Sequence, residues 1–274
     1  MRHFDESHQC EQGQRSALIM AAMTHKHLTI LTGASRGMGL AMAEQLLHQG
    51  HTLLCISRKT NPTLTTLAEA KGATLIQWTQ DLAQGADVSR KLDAWLTSQA
   101  NAGFTSATLI NNAGVIPRIA PLSQSDADDL AQALRVGLEA PMQLSAAFLR
   151  ATESWHASRK VLNISSGLGR RPMASQSAYC AAKAGIDHFT RCLALDEALK
   201  PNGAKVCSLA PGVIDTDMQV QLRGADDALF PDRKGFAGLH QGGQLSSPAD
   251  AAKRVLAVLA RADFGQNPVA DVRD

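Results

Sequence analysis

Leu28-Thr29-Ile30-Leu31-Thr32-Gly33-Ala34-Ser35-Arg36-Gly37-Met38-Gly39 is the stretch on which the fold turns. A short apolar run ends in a glycine-rich turn, and a helical pattern opens directly behind it, over Leu40 to Gln49. At a strand-to-helix junction such glycines admit positive φ and let backbone N–H groups close on a pyrophosphate, whose charge the helix N-terminus then stabilises. Gly33, Ser35, Arg36, Gly37, Met38 and Gly39 are therefore the expected cradle for the phosphates of a dinucleotide.

Outward from this junction, short apolar runs alternate with longer amphipathic ones, the pattern of parallel strands joined by crossover helices. Strands are expected over Leu28 to Thr32, Thr52 to Ser57, Thr74 to Trp78, Thr108 to Asn111, Lys160 to Ser165 and Ala204 to Ala210. Helices are expected over Leu40 to Gln49, Ser89 to Gln99, Asp126 to Thr152, Ser177 to Leu199 and Pro248 to Arg261, the last capped by Ser246 or Ser247. The pattern predicts an α/β chain with a single-domain, Rossmann-type, doubly wound parallel sheet, helices on both faces, and a ligand crevice at the carboxyl ends of the strands. That domain is expected over residues 25–274, behind a flexible N-terminal extension at 1–24 in which Met20 and Met23 are alternative translation starts. Residues 215–245, rich in Gly, Asp and Gln with weak periodicity, are expected to form a substrate lid.

The 27 Lys and Arg against 25 Asp and Glu are scattered, which argues against nucleic acid or a membrane surface and for a small-molecule partner. The apolar run Ala17 to Met23 follows acidic residues and resembles no export signal, and no run reaches the ~20 apolar residues that span a bilayer. Five cysteines at irregular spacing oppose a disulfide framework or thiolate metal site and fit a cytoplasmic setting. The nine histidines show no metal-ligand spacing, so no metal is expected. Asp126, Asp128 and Asp129 fit the start of a helix better than a catalytic carboxylate cluster.

The second strand ends in Cys55-Ile56-Ser57-Arg58-Lys59, with no acid to hold the ribose hydroxyls of NAD. Arg58, with Arg36 from the glycine loop, offers planar charged donors to a 2′-phosphate, so the expected cofactor is NADP(H). Tyr179-Cys180-Ala181-Ala182-Lys183 opens a predicted helix and sets the sole tyrosine and Lys183 on one face. A nearby ammonium is expected to lower the phenol pKa toward the operating pH, fitting Tyr179 for proton transfer. Ser166, at the end of the preceding strand, is placed to donate a hydrogen bond to the same carbonyl oxygen.

Taken together, Thr32 to Gly39, Asp81-Leu82, Asn111-Asn112-Ala113-Gly114, Ser166 with Tyr179 and Lys183, and Pro211-Gly212 with Thr216 resemble the short-chain dehydrogenase/reductase family from Leu28 to Asp271. The resemblance implies that Asp81 and Leu82 flank the adenine, that Asn112, Ala113 and Gly114 support the sheet and line the cofactor, and that Lys183 also binds the nicotinamide ribose. It further implies that Pro211, Gly212, Val213 and Thr216 meet the nicotinamide carboxamide. Ala140-Pro141-Met142 and the ending from Phe264 to Asp271 are similar to the sepiapterin and benzil reductase branch, which makes Asp271 a candidate substrate contact. One departure stands out: Val136-Gly137-Leu138 carries glycine where the family has an asparagine thought to hold a water for the proton relay. The expected activity is NADPH-dependent reduction of a ketone, a 1,2-diketone or a pterin side chain, by a homodimer or homotetramer packed through its long helices. The alternative is an NADP(H)-binding sensor or regulator with little turnover.

Overall fold

A computed structural model describes residues 26–274. The extension expected at 1–24 lies outside the described residues, as do Met20 and Met23. Seven strands form one parallel sheet in the order β3-β2-β1-β4-β5-β6-β7. They are β1 (Lys26–Thr32), β2 (His51–Ser57), β3 (Thr74–Thr79), β4 (Phe104–Asn111), β5 (Ser158–Ile164), β6 (Lys205–Ala210) and β7 (Val269–Asp271). Alternate side chains of the inner strands feed two cores. Leu31, Leu53, Ile110 and Leu162 pack under helices α1 (Gly37–Leu46), α2 (Pro62–Lys71) and α9 (Pro248–Ala260). Leu28, Leu54, Leu109 and Val161 pack under α3 (Gly85–Ser98), α5 (Ala140–Ala151) and α6 (Ser177–Ala198). The doubly wound sheet read from the sequence is thus the observed one.

Local structure departs from the sequence reading in a few places. The single helix expected over Asp126 to Thr152 is α4 (Ala127–Leu134), a π turn (Arg135–Glu139) and α5. Pro141 has no N–H to donate to the carbonyl four residues back, so the backbone widens, and the Ala140 N–H donates to Arg135 O. Asp126 caps this helix, its carboxylate accepting from Asp128 N and Asp129 N. Helix α2 has too few apolar residues for a clear helical stripe; Asn61 nucleates it, accepting from Thr63 N at 3.0 Å ahead of Pro62. Strand β7 is three residues long, below the length at which alternation is readable. Residues 215–245 contain α7 (Asp217–Arg223) and α8 (Arg233–Gln241), packed together with Phe230 fully buried and stacked on Phe236 at 5.7 Å.

At the amino ends of β1 and β2, away from the crevice, three histidines meet. His51 is 5% exposed; its Nε2 pairs with Thr29 Oγ1 at 2.9 Å and its Nδ1 with His48 Nε2 at 3.1 Å, while the His27 ring lies 6.3 Å away. Burial, with His48 and His27 adding to it, pushes the His51 pKa from 6.5 down to about 4. The fold therefore holds the neutral ring while the unfolded chain takes up a proton, so the stabilisation is complete above 6.5 and is lost as pH falls toward 4. Urea unfolding should show stability falling between pH 6.5 and 4 by up to about 1.4 kcal/mol per pH unit from this one group. His51→Gln should flatten that dependence, and an unchanged slope would exclude His51 as its source.

Candidate active site

Because β1 pairs with β2 on one side and β4 on the other, the chain reverses direction across the sheet between β1 and β4, and a crevice opens beyond their carboxyl ends. A cavity of about 1100 Å³ occupies it. Its floor is the glycine loop. Gly33 (φ +73°) and Gly37 (φ +57°) sit in the left-handed region, and Gly33 N donates to Ile56 O at 2.9 Å. A Cβ on Gly39 would stand 2.1 Å from Gly33 O and 2.5 Å from Asn112 Nδ2, so the helix can start this close to the strand only without a side chain. Thr32 Oγ1 accepts from Asn112 N at 2.9 Å and Ala113 N at 3.0 Å, while Asn112 Nδ2 donates to Thr32 O at 2.9 Å. The segment Asn112 to Gly114 is thereby fastened to the loop.

Every residue expected to meet the cofactor lines this one cavity. Ser57 Oγ accepts from Ala34 N at 2.9 Å and ties the end of β2 to the loop, which brings the exposed Arg58 beside it. Arg36 reaches across the crevice to Asp217 at the start of α7, 2.5 Å away, with both side chains about 70% exposed. Asp81 caps the turn Leu82–Gln84, accepting from Ala83 N at 2.9 Å. On the opposite wall, Gly212 (φ +83°) carries the chain from Pro211 past Val213 to Thr216, the N-cap of α7.

Ser166, Tyr179 and Lys183 come together where β5 and α6 approach. Ser166 Oγ accepts from Leu168 N at 3.2 Å, which leaves its own proton free to donate. Lys183 Nζ donates to Ile164 O at 2.7 Å and lies 5.7 Å from the centre of the Tyr179 ring. A Cβ on Gly114 would come within 3.9 Å of that ammonium. Burial pushes the Tyr179 phenol up to about 12, against a hydrogen bond from Ser166 that pulls it down, and burial pushes Lys183 down to about 8. The lowering of Tyr179 expected from its ammonium neighbour is thus not observed: the cost of holding a phenolate out of water dominates. The phenol is held as an acid.

At the far end, Asp271 closes β7 and lines the cavity, but its carboxylate already accepts from Arg273 Nε at 2.7 Å and Nη2 at 2.6 Å. Gly137 is buried in the π turn, where an added Cβ would press on Ala182 Cβ at 3.1 Å. The cavity wall also includes Leu168, Met218, Leu222 and Phe236, which the sequence reading did not single out. Tyr179 Oη lies 3.9 Å from Met218 Sδ. Helices α7 and α8 are short, and no local pattern marks Met218, Leu222 and Phe236 as lining one cavity. Among the described residues no group of three or more His, Cys, Asp or Glu could hold a metal ion, and Cys55, Cys180, Cys192 and Cys207 are free thiols.

Residues 27–227 match the family model described as short chain dehydrogenase. The chain belongs to that family. Short-chain dehydrogenases are oxidoreductases that bind a nicotinamide cofactor, and curated members similar to this one reduce carbonyl compounds. A benzil reductase ((S)-benzoin forming) of Bacillus cereus is 35% identical over 88% of this chain and 96% of its own length. A sepiapterin reductase of Bos taurus is 29% identical over 90% of this chain and 94% of its own. Among solved structures, one from Agrobacterium tumefaciens with bound NADP, provisionally assigned as a 2-deoxy-D-gluconate 3-dehydrogenase, superposes with a TM-score of 0.73 at 27% identity. It covers 90% of this chain and 94% of its own. The close approach of Gly39 to Gly33 bears on the expectation that this loop takes the cofactor's phosphates. Gly39→Ala should abolish nicotinamide cofactor binding in calorimetry and lower the melting temperature, whereas cofactor affinity within twofold of the parent would refute the close approach.

Proposed function

We propose that the chain reduces an apolar ketone, a 1,2-diketone among the best candidates, with NADPH as hydride donor. The observation that carries this reading is the buried Tyr179 phenol, held as an acid beside Ser166 and Lys183 in the cavity that the glycine loop floors. The loop glycines, with the N-terminus of α1 behind them, fit a pyrophosphate, and Arg58 with Arg36 fits a 2′-phosphate. When bound, the nicotinamide ring supplies the hydride. Asp81 and Leu82 would flank the adenine, Asn112, Ala113 and Gly114 would line the cofactor, and Pro211 to Thr216 would meet the carboxamide.

The chain's own groups handle the oxygen. Ser166 donates a hydrogen bond to the carbonyl oxygen and polarises it, Tyr179 passes its phenolic proton to that oxygen as hydride arrives at carbon, and the Lys183 ammonium stabilises the resulting phenolate. Leu168, Met218, Leu222 and Phe236 offer an apolar wall to the substrate's substituents, with α7 and α8 as its lid, and Asp271 with Arg273 forms a polar end. The exposed Leu195 on α6, Leu199 at its C-cap and Met142 on α5 support a homodimer or homotetramer through these helices. The free thiols fit a cytoplasmic enzyme.

NADPH oxidation assayed over diketones, pterins and aromatic ketones tests the reading: a ketone-dependent rate, with NADPH favoured over NADH, supports it, and cofactor binding without consumption supports a sensor. Tyr179→Phe should lower kcat by about 10²–10⁴-fold. Lys183 is charged below about 8 and loses its proton above, so kcat/KM for reduction should fall as pH rises through about 8. Gly137→Asn, placing an amide beside the proton path, should raise turnover further when Ala182→Gly makes room for its Cβ; equal rates in the single and double variants would exclude steric pressure at that site.

A further inference from the structure

Lys183 shares its helix face with a buried carboxylate. Asp187 follows one turn later on α6, its side chain 2% exposed. Its Oδ1 accepts from Ser208 Oγ of β6 at 2.7 Å. Its Oδ2 accepts no aligned hydrogen bond but lies 3.3 Å from Arg170 Nε, an ion pair without a line of donation. A Cβ on Gly169 would stand 2.8 Å from that same oxygen and 2.9 Å from Lys183 O, so the turn after β5 lays bare backbone over both residues. Arg170 leads outward from there. Its Nη2 donates to Ala270 O at 2.8 Å and its Nη1 lies 3.9 Å from Asp271 Oδ2, at the polar end of the cavity.

A neutral amide at 187 could keep the Ser208 contact and avoid the cost of desolvating a charge. The position holds a carboxylate instead, one helical turn from the lysine. We propose that Asp187 is a positioning residue for Lys183: its carboxylate holds the lysine in the charged form, and Arg170, shared with Asp271, sets how much of that field the lysine receives. The inference rests on the reading of Tyr179 and Lys183 as the proton-transfer pair. Burial works against the Lys183 charge and Asp187 works for it. The other groups around Lys183 are few. Its own helix brings Tyr179, β5 the Ile164 carbonyl, and the loop after β4 the Gly114 backbone. Around Asp187 the turn after β5 brings Arg170 and β6 the buried Cys207, and Arg170 leads on to Asp271 of β7. Arg135 and Glu139 of the π turn and Asp128 of α4 are exposed, and Asp129 of α4 is half-buried with Oδ2 accepting from Arg118 N.

The test is the pH profile of kcat/KM for NADPH-dependent ketone reduction by the full-length protein between pH 6 and 10. Asp187→Asn should move the alkaline limb down by about one pH unit, because burial then acts on the lysine unopposed. Arg170→Met should move it up, because a competing cation is gone. A residue that merely holds the fold would lower rates at every pH and leave the limb in place. Limbs that stay put, or move together, overturn the proposal; if Asp187→Asn does not fold, the direction seen in Arg170→Met decides alone. Tyr179→Phe and Lys183→Met run beside them. Full turnover in those two would sink the catalytic reading itself, whereas their loss with unmoved limbs in the other two would sink only the role of Asp187.

Discussion

The close approach of backbone to backbone at Gly39 is the constraint on which the site depends. With 2.1 Å between a hypothetical Cβ and Gly33 O, α1 can begin directly over the end of β1 only if nothing projects from it. That start aims the helix N-terminus at the crevice, and the same glycines leave room for Asn112 Nδ2 to reach Thr32 O. The loop after β4 is then tied to the loop after β1 by hydrogen bonds from both main chain and side chain. The loop after β1 and the loop after β4 are consequently joined into one piece, the preorganisation that oriented transfer demands.

Burial is the second organising force, and it acts on Tyr179 and Lys183 at once. Out of water, the phenol keeps its proton and the ammonium tends to lose its own. The first effect suits an acid; the second works against the group meant to stabilise the phenolate. The buried carboxylate beside Lys183 opposes the second effect without touching the first, because it lies a turn farther from Tyr179 along the helix. One bare glycine, Gly169, lets the neighbouring turn cover that carboxylate.

Much of this was legible along the chain because the information is local. The alternation of apolar runs with amphipathic ones, the glycines after β1, and the spacing of Tyr179 and Lys183 each lie within one or two elements. The break in the helix at Arg135–Glu139 was hidden because the apolar period continues through it, and only the missing N–H of Pro141 marks the change. Asp187 carried a usable signal, the same four-residue step that joins Tyr179 to Lys183. Met218, Leu222 and Phe236 carried none, since α7 and α8 are short and their facing sides are set by a fold around Phe230.

The amino-acid sequence by itself determined the α/β class, the glycine turn between β1 and α1 and the four-residue step from Tyr179 to Lys183, because each follows from the period of a single element or from what glycine permits. Tertiary structure alone decided the sign of the Tyr179 shift, the engagement of Asp271 by Arg273, the pressure of Ala182 on position 137, and the pairing of Asp187 with Arg170. Desolvation and contact between distant segments are properties of the packed chain, and no local pattern encodes them.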